Sequence, residues 1–194
     1  TFVKSVETDG IDNVVIITPR RKDCLNSSVE LNKKIQDELI SSTEPSITCQ
    51  DIEYRKGAKV MQIVNNYDEN VFNGEIGFIA DIRSENNGKK SVMVASVDFG
   101  GGKVIDYSQT EMAQLDLAYA VTVHKIQGSG IKTVIGIIDN SHYKLLDNCI
   151  LYTLLTRAKK RCLLLAEPTA FNQCIRTSHN RRNTWIMEGA FKYR

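Results

Sequence analysis

Val14-Val15-Ile16-Ile17-Thr18 is followed by Pro19, a basic turn Arg20-Arg21-Lys22-Asp23, and then Ser27-Ser28-Val29-Glu30-Leu31 running on to Leu39. The first five residues are all β-branched and read as a short buried strand that the proline ends. Ser27 with Glu30 three positions later predicts a capping box at a helix start. Leu31, Ile35 and Leu39 recur every four residues and give that helix one apolar stripe. Strand, polar turn and amphipathic helix in this order open an α/β layer.

Further along, the pattern changes and then returns. From Lys56 to Ser108 the chain reads as short strands: Val60 to Val64, Ile76 to Ile82, Val92 to Phe99 and Val104 to Tyr107. Asn73-Gly74, Asn87-Gly88 and Gly100-Gly101-Gly102 mark the turns between them. Such a run predicts a small β-barrel, a separate lobe over 56–108 inserted into an α/β domain made of 1–55 and 109–194. After Leu115 the α/β character resumes. Tyr119, Val123 and Ile126 fall at helical spacing, Thr133 to Ile138 is a buried strand, and Ile150 to Ala158 is a helix with Leu151, Leu154, Leu155 and Ala158 toward the core. Arg161 to Leu165 is a further buried strand, ended by Pro168.

Composition bounds the function. The 194 residues carry 25 Lys and Arg against 23 Asp and Glu, a net charge of +2, with 42% apolar and 25% charged residues. These values exclude a disordered, collagen-like or disulfide-scaffold chain. The longest apolar runs, Val134 to Ile138 and Cys162 to Ala166, fall far short of the roughly 18 residues that cross a bilayer, so no membrane partner is expected. No signal peptide opens the chain, and a start at Thr1 suits a processed product or an excised piece. Cys24, Cys49, Cys149, Cys162 and Cys174 are scattered without metal-knuckle spacing, as are the three histidines; reduced thiols suit a cytoplasmic protein, and no resident metal is expected. The end of the chain, with Arg176, Arg181, Arg182, Lys192 and Arg194 against Glu188, reads as a solvated helix and its tail.

Three stretches carry chemistry. In Thr122-Val123-His124-Lys125-Ile126-Gln127-Gly128-Ser129-Gly130, four donor side chains precede a small-residue turn. Helical spacing sets His124 with Gln127 and Thr122 with Lys125, two donor faces suited to phosphates or to solvent. In Leu151-Tyr152-Thr153-Leu154-Leu155-Thr156-Arg157-Ala158, Arg157 is a planar, always charged donor that a rigid helix can aim at one anion, or a helix-end cation that complements the dipole. Asn65, Asn66 and Tyr67 either touch a nucleic-acid backbone and base or serve as turn residues. Gly100-Gly101-Gly102-Lys103 lacks phosphate-loop spacing, and Ser129 lacks a nucleophile elbow.

Together, in order, these stretches resemble the C-terminal motor domain of RecD-like superfamily 1 DNA helicases. Lys59 to Ile63, Asn65 to Asp68 and Val71 to Gly77 resemble the start of that family's inserted Src-homology-3-like barrel. Leu117 to Ser129 resembles its motif V, Leu151 to Ala158 its motif VI, and Ile17 to Lys22 its motif IV region. The resemblance implies a RecA-like parallel sheet with helices on both faces, an α/β fold of P-loop-NTPase type. It implies ATP and Mg²⁺ as cofactors, held mainly by an N-terminal RecA-like domain of the same parent chain. Single-stranded DNA is the implied partner, in recombination or repair, with 5′-to-3′ movement and a monomeric state. Arg157 is then the arginine finger. Arg21 and Lys22, with Arg20 beside them, together with Gln127, Gly128 and Gly130, fall on the nucleotide side. Thr122, His124 and Lys125, with Asn65, Asn66 and Tyr67, fall on the DNA side. The fragment alone is expected to be inactive.

Two positions depart from that family. Gly130 stands where Glu usually closes Gly-Ser-Glu near the ribose, a lost hydrogen bond worth about 1–2 kcal/mol. Asp23 stands where Gly is common. The Gly130 change keeps an alternative open, a helicase remnant that binds DNA or protein without turnover.

Overall fold

The computed structural model describes residues 1–86, 91–126 and 130–178. Asn87-Gly88, Gln127, Gly128 and Ser129, and the tail from His179, lie outside the described residues. The first unit is a four-stranded, all-parallel sheet. Its strands are β1 (Val14–Thr18), β9 (Ala120–Thr122), β10 (Ile131–Ile138) and β11 (Ala158–Ala166), in the order β11-β10-β1-β9. Strand periodicity divides its core. Val14 and Ile16 face α1 (Phe2–Asp9) and α2 (Ser28–Leu39), while Val15 and Ile17 face α3 (Asn148–Arg157) and α4 (Pro168–Arg176). Helices thus cover both faces, in an α/β domain with the expected parallel sheet.

The second unit is antiparallel, and it reaches beyond 56–108 on both sides. A hairpin of β2 (Ser46–Cys49) and β3 (Ile52–Arg55) precedes it. A five-stranded sheet follows, in the order β7-β6-β5-β4-β8, from β4 (Lys59–Gln62) through β5 (Ile76–Asn86), β6 (Ser91–Asp98) and β7 (Val104–Ser108) to β8 (Leu115–Leu117). It is not a separate lobe: Ile79, Val97 and Tyr107 lie in one continuous core with Val14, Ile16 and Ile135. Gly100, Gly101 and Gly102 all take positive φ in the turn joining β6 to β7, which only glycine accommodates three times running. Neighbouring Lys103 donates to Asn70 O and Glu75 at 2.8 Å, so this stretch is a hairpin and its anchor.

Three local expectations change. Tyr119, Val123 and Ile126 do not share a helix: Ala120 to Thr122 is a strand, and Val123–Ile126 a single 3₁₀ turn. The β-branched run Val121-Thr122-Val123 resists helix, and edge pairing with β1 (Ile17 beside Val121, Thr18 beside Thr122) outweighs the spacing. In α2, Ser27 receives Glu30 N–H as expected, but its own N–H goes to Cys24 O at 3.1 Å, so the reciprocal half of the box is absent. Leu31, Ile35 and Leu39 are only partly buried, and the deepest positions are Ser28, Asn32 and Gln36. In α3 Leu154 is fully buried, whereas Leu155 is 59% exposed and Ala158 already begins β11.

Lys59 joins the two units. Its side chain is fully buried, and its ammonium donates to Ile11 O (2.8 Å) and Val14 O (3.1 Å) beside β1. Burial lowers its pKa from 10.5 to about 8, with Asp12 pulling the other way. Between those values the unfolded chain binds more protons than the folded one, so this contribution to stability rises with pH across the window and is constant below it. Lys59→Met is expected to cost about 2–4 kcal/mol at pH 7, because two buried carbonyls lose a charged donor. Urea unfolding from pH 7 to 10 checks both effects: the gap between wild type and variant should widen above pH 8, by at most about 1.4 kcal/mol per pH unit.

Candidate nucleic-acid interface

The chain passes from the antiparallel to the parallel sheet through Leu117-Ala118-Tyr119-Ala120, and three elements hold that passage. Asn32 of α2 donates to Leu117 O (2.9 Å) and Ala120 O (2.8 Å) and accepts from Ala120 N (2.7 Å). Ala118 N donates to Lys59 O (2.9 Å), and Ile16 N of β1 donates to Tyr119 O (2.9 Å). This is why α2 buries a polar line: Asn32 satisfies strand-end groups that neither sheet can pair. Thr122 and Lys125 follow directly and inherit their positions from the clamp.

A pocket of about 220 Å³ opens beside it. Asn32 and Gln36, apolar Met61 and Val121, and polar Arg21, Asp116, Thr122 and Lys125 are among the residues that line it. Asp116 of β8 is the centre of charge. Arg21 reaches it at 3.3 Å and Lys125 contacts it directly. Arg21, expected on the nucleotide side, therefore sits with Thr122 and Lys125 at the finishing edge of the parallel strands.

The basic turn after β1 is tied to the same edge. Thr18 donates through Oγ1 to Asn26 O (2.7 Å), Asn26 donates to Asp139 (2.6 Å), and Ser28 N donates to Arg20 O (3.0 Å). His142, in the turn after β10, is buried with Thr18 Oγ1 at 3.5 Å and Cys24 Sγ at 3.6 Å. Burial lowers the His142 pKa and outweighs the opposing pull of Asp139. Lys22 and His124 are exposed and are not among the residues lining this pocket.

Arg157 lies at the other edge. It is the last residue of α3, and Ala158 pairs with Ile131 where β10 and β11 begin. Gly130 is next to that start. A Cβ there would come within 2.5 Å of Lys159 Cε, a flexible side-chain end that can swing aside, and its φ is not positive. The backbone at 130 therefore accepts a larger residue.

Asn65, Asn66 and Tyr67 lie in the loop after β4, outside the pocket lining. Their amides hold that loop together: Asn65 accepts from Asn73 N (2.9 Å), and Asn66 from Glu69 N (3.2 Å). Tyr67 is 75% exposed and meets Phe72 edge-on with ring centroids 6.0 Å apart. Phe72 and Asp116 are the residues that sequence reasoning missed. A lone Phe in a turn and a lone Asp in a strand leave no pattern until folding brings their partners together.

Comparisons with known proteins add the family. Residues 31–99 match the model of the ATP-dependent RecD-like DNA helicase SH3 domain, and residues 117–165 that of the UvrD-like helicase C-terminal domain. The chain is 32% identical over 94% of its length to the ATP-dependent RecD2 DNA helicase of Deinococcus radiodurans, of which it covers 24%. It belongs to the RecD-like helicase domains of superfamily 1. It is also 30% identical over 70% of its length to the ATP-dependent DNA helicase Pif1 of Campylobacter jejuni, covering 34% of that protein. The fold is shared with a Bacteroides Pif1 helicase solved with ADP-AlF3 and single-stranded DNA, at 19% identity and a TM-score of 0.54, across 93% of this chain and 46% of that one. This RecD-like domain thus spans about a quarter to a third of the curated relatives named here.

Within the family, Asp23 has a local explanation. Its φ of 65° is left-handed, which glycine adopts freely and aspartate tolerates better than most residues. The same geometry makes Asn32 testable. Asn32→Ala removes three hydrogen bonds and leaves Ala120 N–H buried without its acceptor. It is expected to lower the unfolding free energy by about 2–4 kcal/mol. Urea titration reads this directly, and a loss below about 0.5 kcal/mol would show that the clamp carries no weight.

Proposed function

We propose that this chain is the second motor half of an ATP-driven DNA helicase that moves 5′ to 3′ on single-stranded DNA. In this reading it acts in the cytoplasm as part of a monomeric recombination or repair enzyme. An N-terminal RecA-like domain of the same parent completes the nucleotide site. The observation that carries the proposal is the division of one parallel sheet. Arg157 and Gly130 stand where the strands begin, and Arg21, Thr122 and Lys125 stand where they end. A rigid sheet between the two groups makes a change at one edge a displacement of the other.

The cofactor assignment follows from donor chemistry. Arg157 suits a phosphate, and the family resemblance assigns Mg²⁺ mainly to the N-terminal domain. ATP bound there supplies the phosphoryl chemistry. This chain's part is to bring Arg157 to the γ-phosphate when the two domains close. On the DNA side, Thr122 and Lys125 supply phosphate donors, and His124 is free to join them from the exposed turn. Tyr67 with Phe72 offers an aromatic surface for a base, while Asn65 and Asn66 act as its scaffold. Support for single-stranded DNA comes from the Bacteroides Pif1 structure, which was solved with it.

In the full-length parent, Arg157→Ala is expected to reduce ATP hydrolysis by about 10³- to 10⁵-fold. Single-stranded DNA affinity should stay within about threefold, and Arg157→Lys should not rescue turnover, because a point charge lacks the planar fork. Steady-state ATPase and fluorescence anisotropy check the two halves. Retained turnover in Arg157→Ala, or hydrolysis by the isolated 194-residue chain, would overturn the assignment.

A further inference from the structure

Asp116 is placed unlike the other acids of this surface. It belongs to β8, where its backbone lies opposite Met61 in the antiparallel sheet, yet its side chain leaves that sheet for cations from two other elements. Arg21 comes from the turn after β1, and Lys125 from the turn after β9. The Asp116 side chain is only 17% exposed, against 52% for Arg21 and 28% for Lys125. The carboxylate is therefore enclosed while the cations that hold it still face solvent. Arg21 meets it through one nitrogen, Nη2, with two long contacts of 3.3 and 3.4 Å, short of a proper bidentate grip. Asp37 and Glu53, two of the other acids lining the pocket beside Asp51, are both held by Arg55 at 2.8 Å. One carboxylate thus serves two cations that are open on their outer side.

We propose that Arg21 and Lys125 form one phosphodiester subsite of the single-strand track, and that Asp116 occupies it as an internal phosphate substitute that the strand displaces. The inference rests on the single-strand reading above. A carboxylate and a phosphodiester are both monoanions that accept from Arg and Lys, so the exchange conserves the charge facing the two cations. Displacement sets the salt dependence. Cations already neutralised by a protein carboxylate release few counterions when DNA arrives, whereas free cations release them and steepen the dependence of affinity on salt. Asp116 thereby weakens grip on any strand too poorly placed to push it aside, and links release of the strand to reformation of a contact between the two sheets.

The test is Asp116→Asn in the full-length parent, with binding of a fluorescent oligothymidine measured across a salt series. The expected result is five- to tenfold tighter binding at low salt, and a log–log slope steeper by about 0.7 for each cation set free. Lys125→Met should then cost more affinity in the Asp116→Asn background than in wild type. Unchanged or weaker binding by a folded Asp116→Asn protein, judged by its thermal midpoint, would overturn the proposal and leave Asp116 a positioning residue. Asp116→Ser is the second variant, with the same expectation. If neither variant folds, the proposal also falls, since an anion that the strand displaces cannot be indispensable to the fold. Failure of the wild-type protein to bind the oligonucleotide would instead sink the single-strand reading itself.

Discussion

Much of this molecule depends on how the chain leaves one sheet and enters another within four residues. Between Leu117 and Ala120 the backbone stops pairing with β4 and starts pairing with β1, and at such a crossing peptide groups point at neither neighbour. Asn32 supplies one donor pair and one acceptor at that place, and Lys59 pins the opposite side to the strand start. A buried amide and a buried ammonium are costly to desolvate, and each is tolerated because its partners are fixed backbone groups. Everything that follows in the chain, from Thr122 through Lys125, takes its position from this crossing. Geometry at the ends of the parallel strands is therefore set by Asn32 and Lys59, whose bonds go to the backbone.

How far the sequence could be read depended on whether the signal was local. Val14 to Thr18 emerged with the bounds its β-branched run and Pro19 imply, because both determinants lie within six residues. Strands β5, β6 and β7 were likewise marked by turn glycines. Sequence periodicity failed at Tyr119 to Ile126, where the partner strand β1 lies about a hundred residues earlier. It also failed along α2, where Leu31, Ile35 and Leu39 suggested the buried stripe while Ser28, Asn32 and Gln36 took the deepest places. A helix face that buries amides looks exposed in any hydropathy pattern. The motif around Arg157 placed that residue on its helix, whereas Thr122 and Lys125 were read onto a helix and lie on a strand and a 3₁₀ turn, and the grouping of Arg21 with Lys125 required Asp116, whose role has no local signature.

The two edges of the parallel sheet give the site its logic. The strand Ile131–Ile138 is mostly buried and paired on both sides, with one register irregularity between Ile131 and Thr133, so it couples its two ends with little deformation. A cation at the strand starts and a cluster of donors at the strand ends then move as one body. Neither group needs to sense the other through a chain of side-chain rearrangements.

The antiparallel unit is attached in a particular way. Its first strand, β4, and its last, β8, lie side by side, with Val60 beside Leu117. The unit therefore departs and rejoins through a paired stem, not a single tether, and a paired stem resists twisting where one strand would swivel. The exposed ring of Tyr67, in the loop directly after β4, thus stands on a braced footing: the stem beneath it is paired strand to strand, and the unit behind it shares one core with Val14, Ile16 and Ile135.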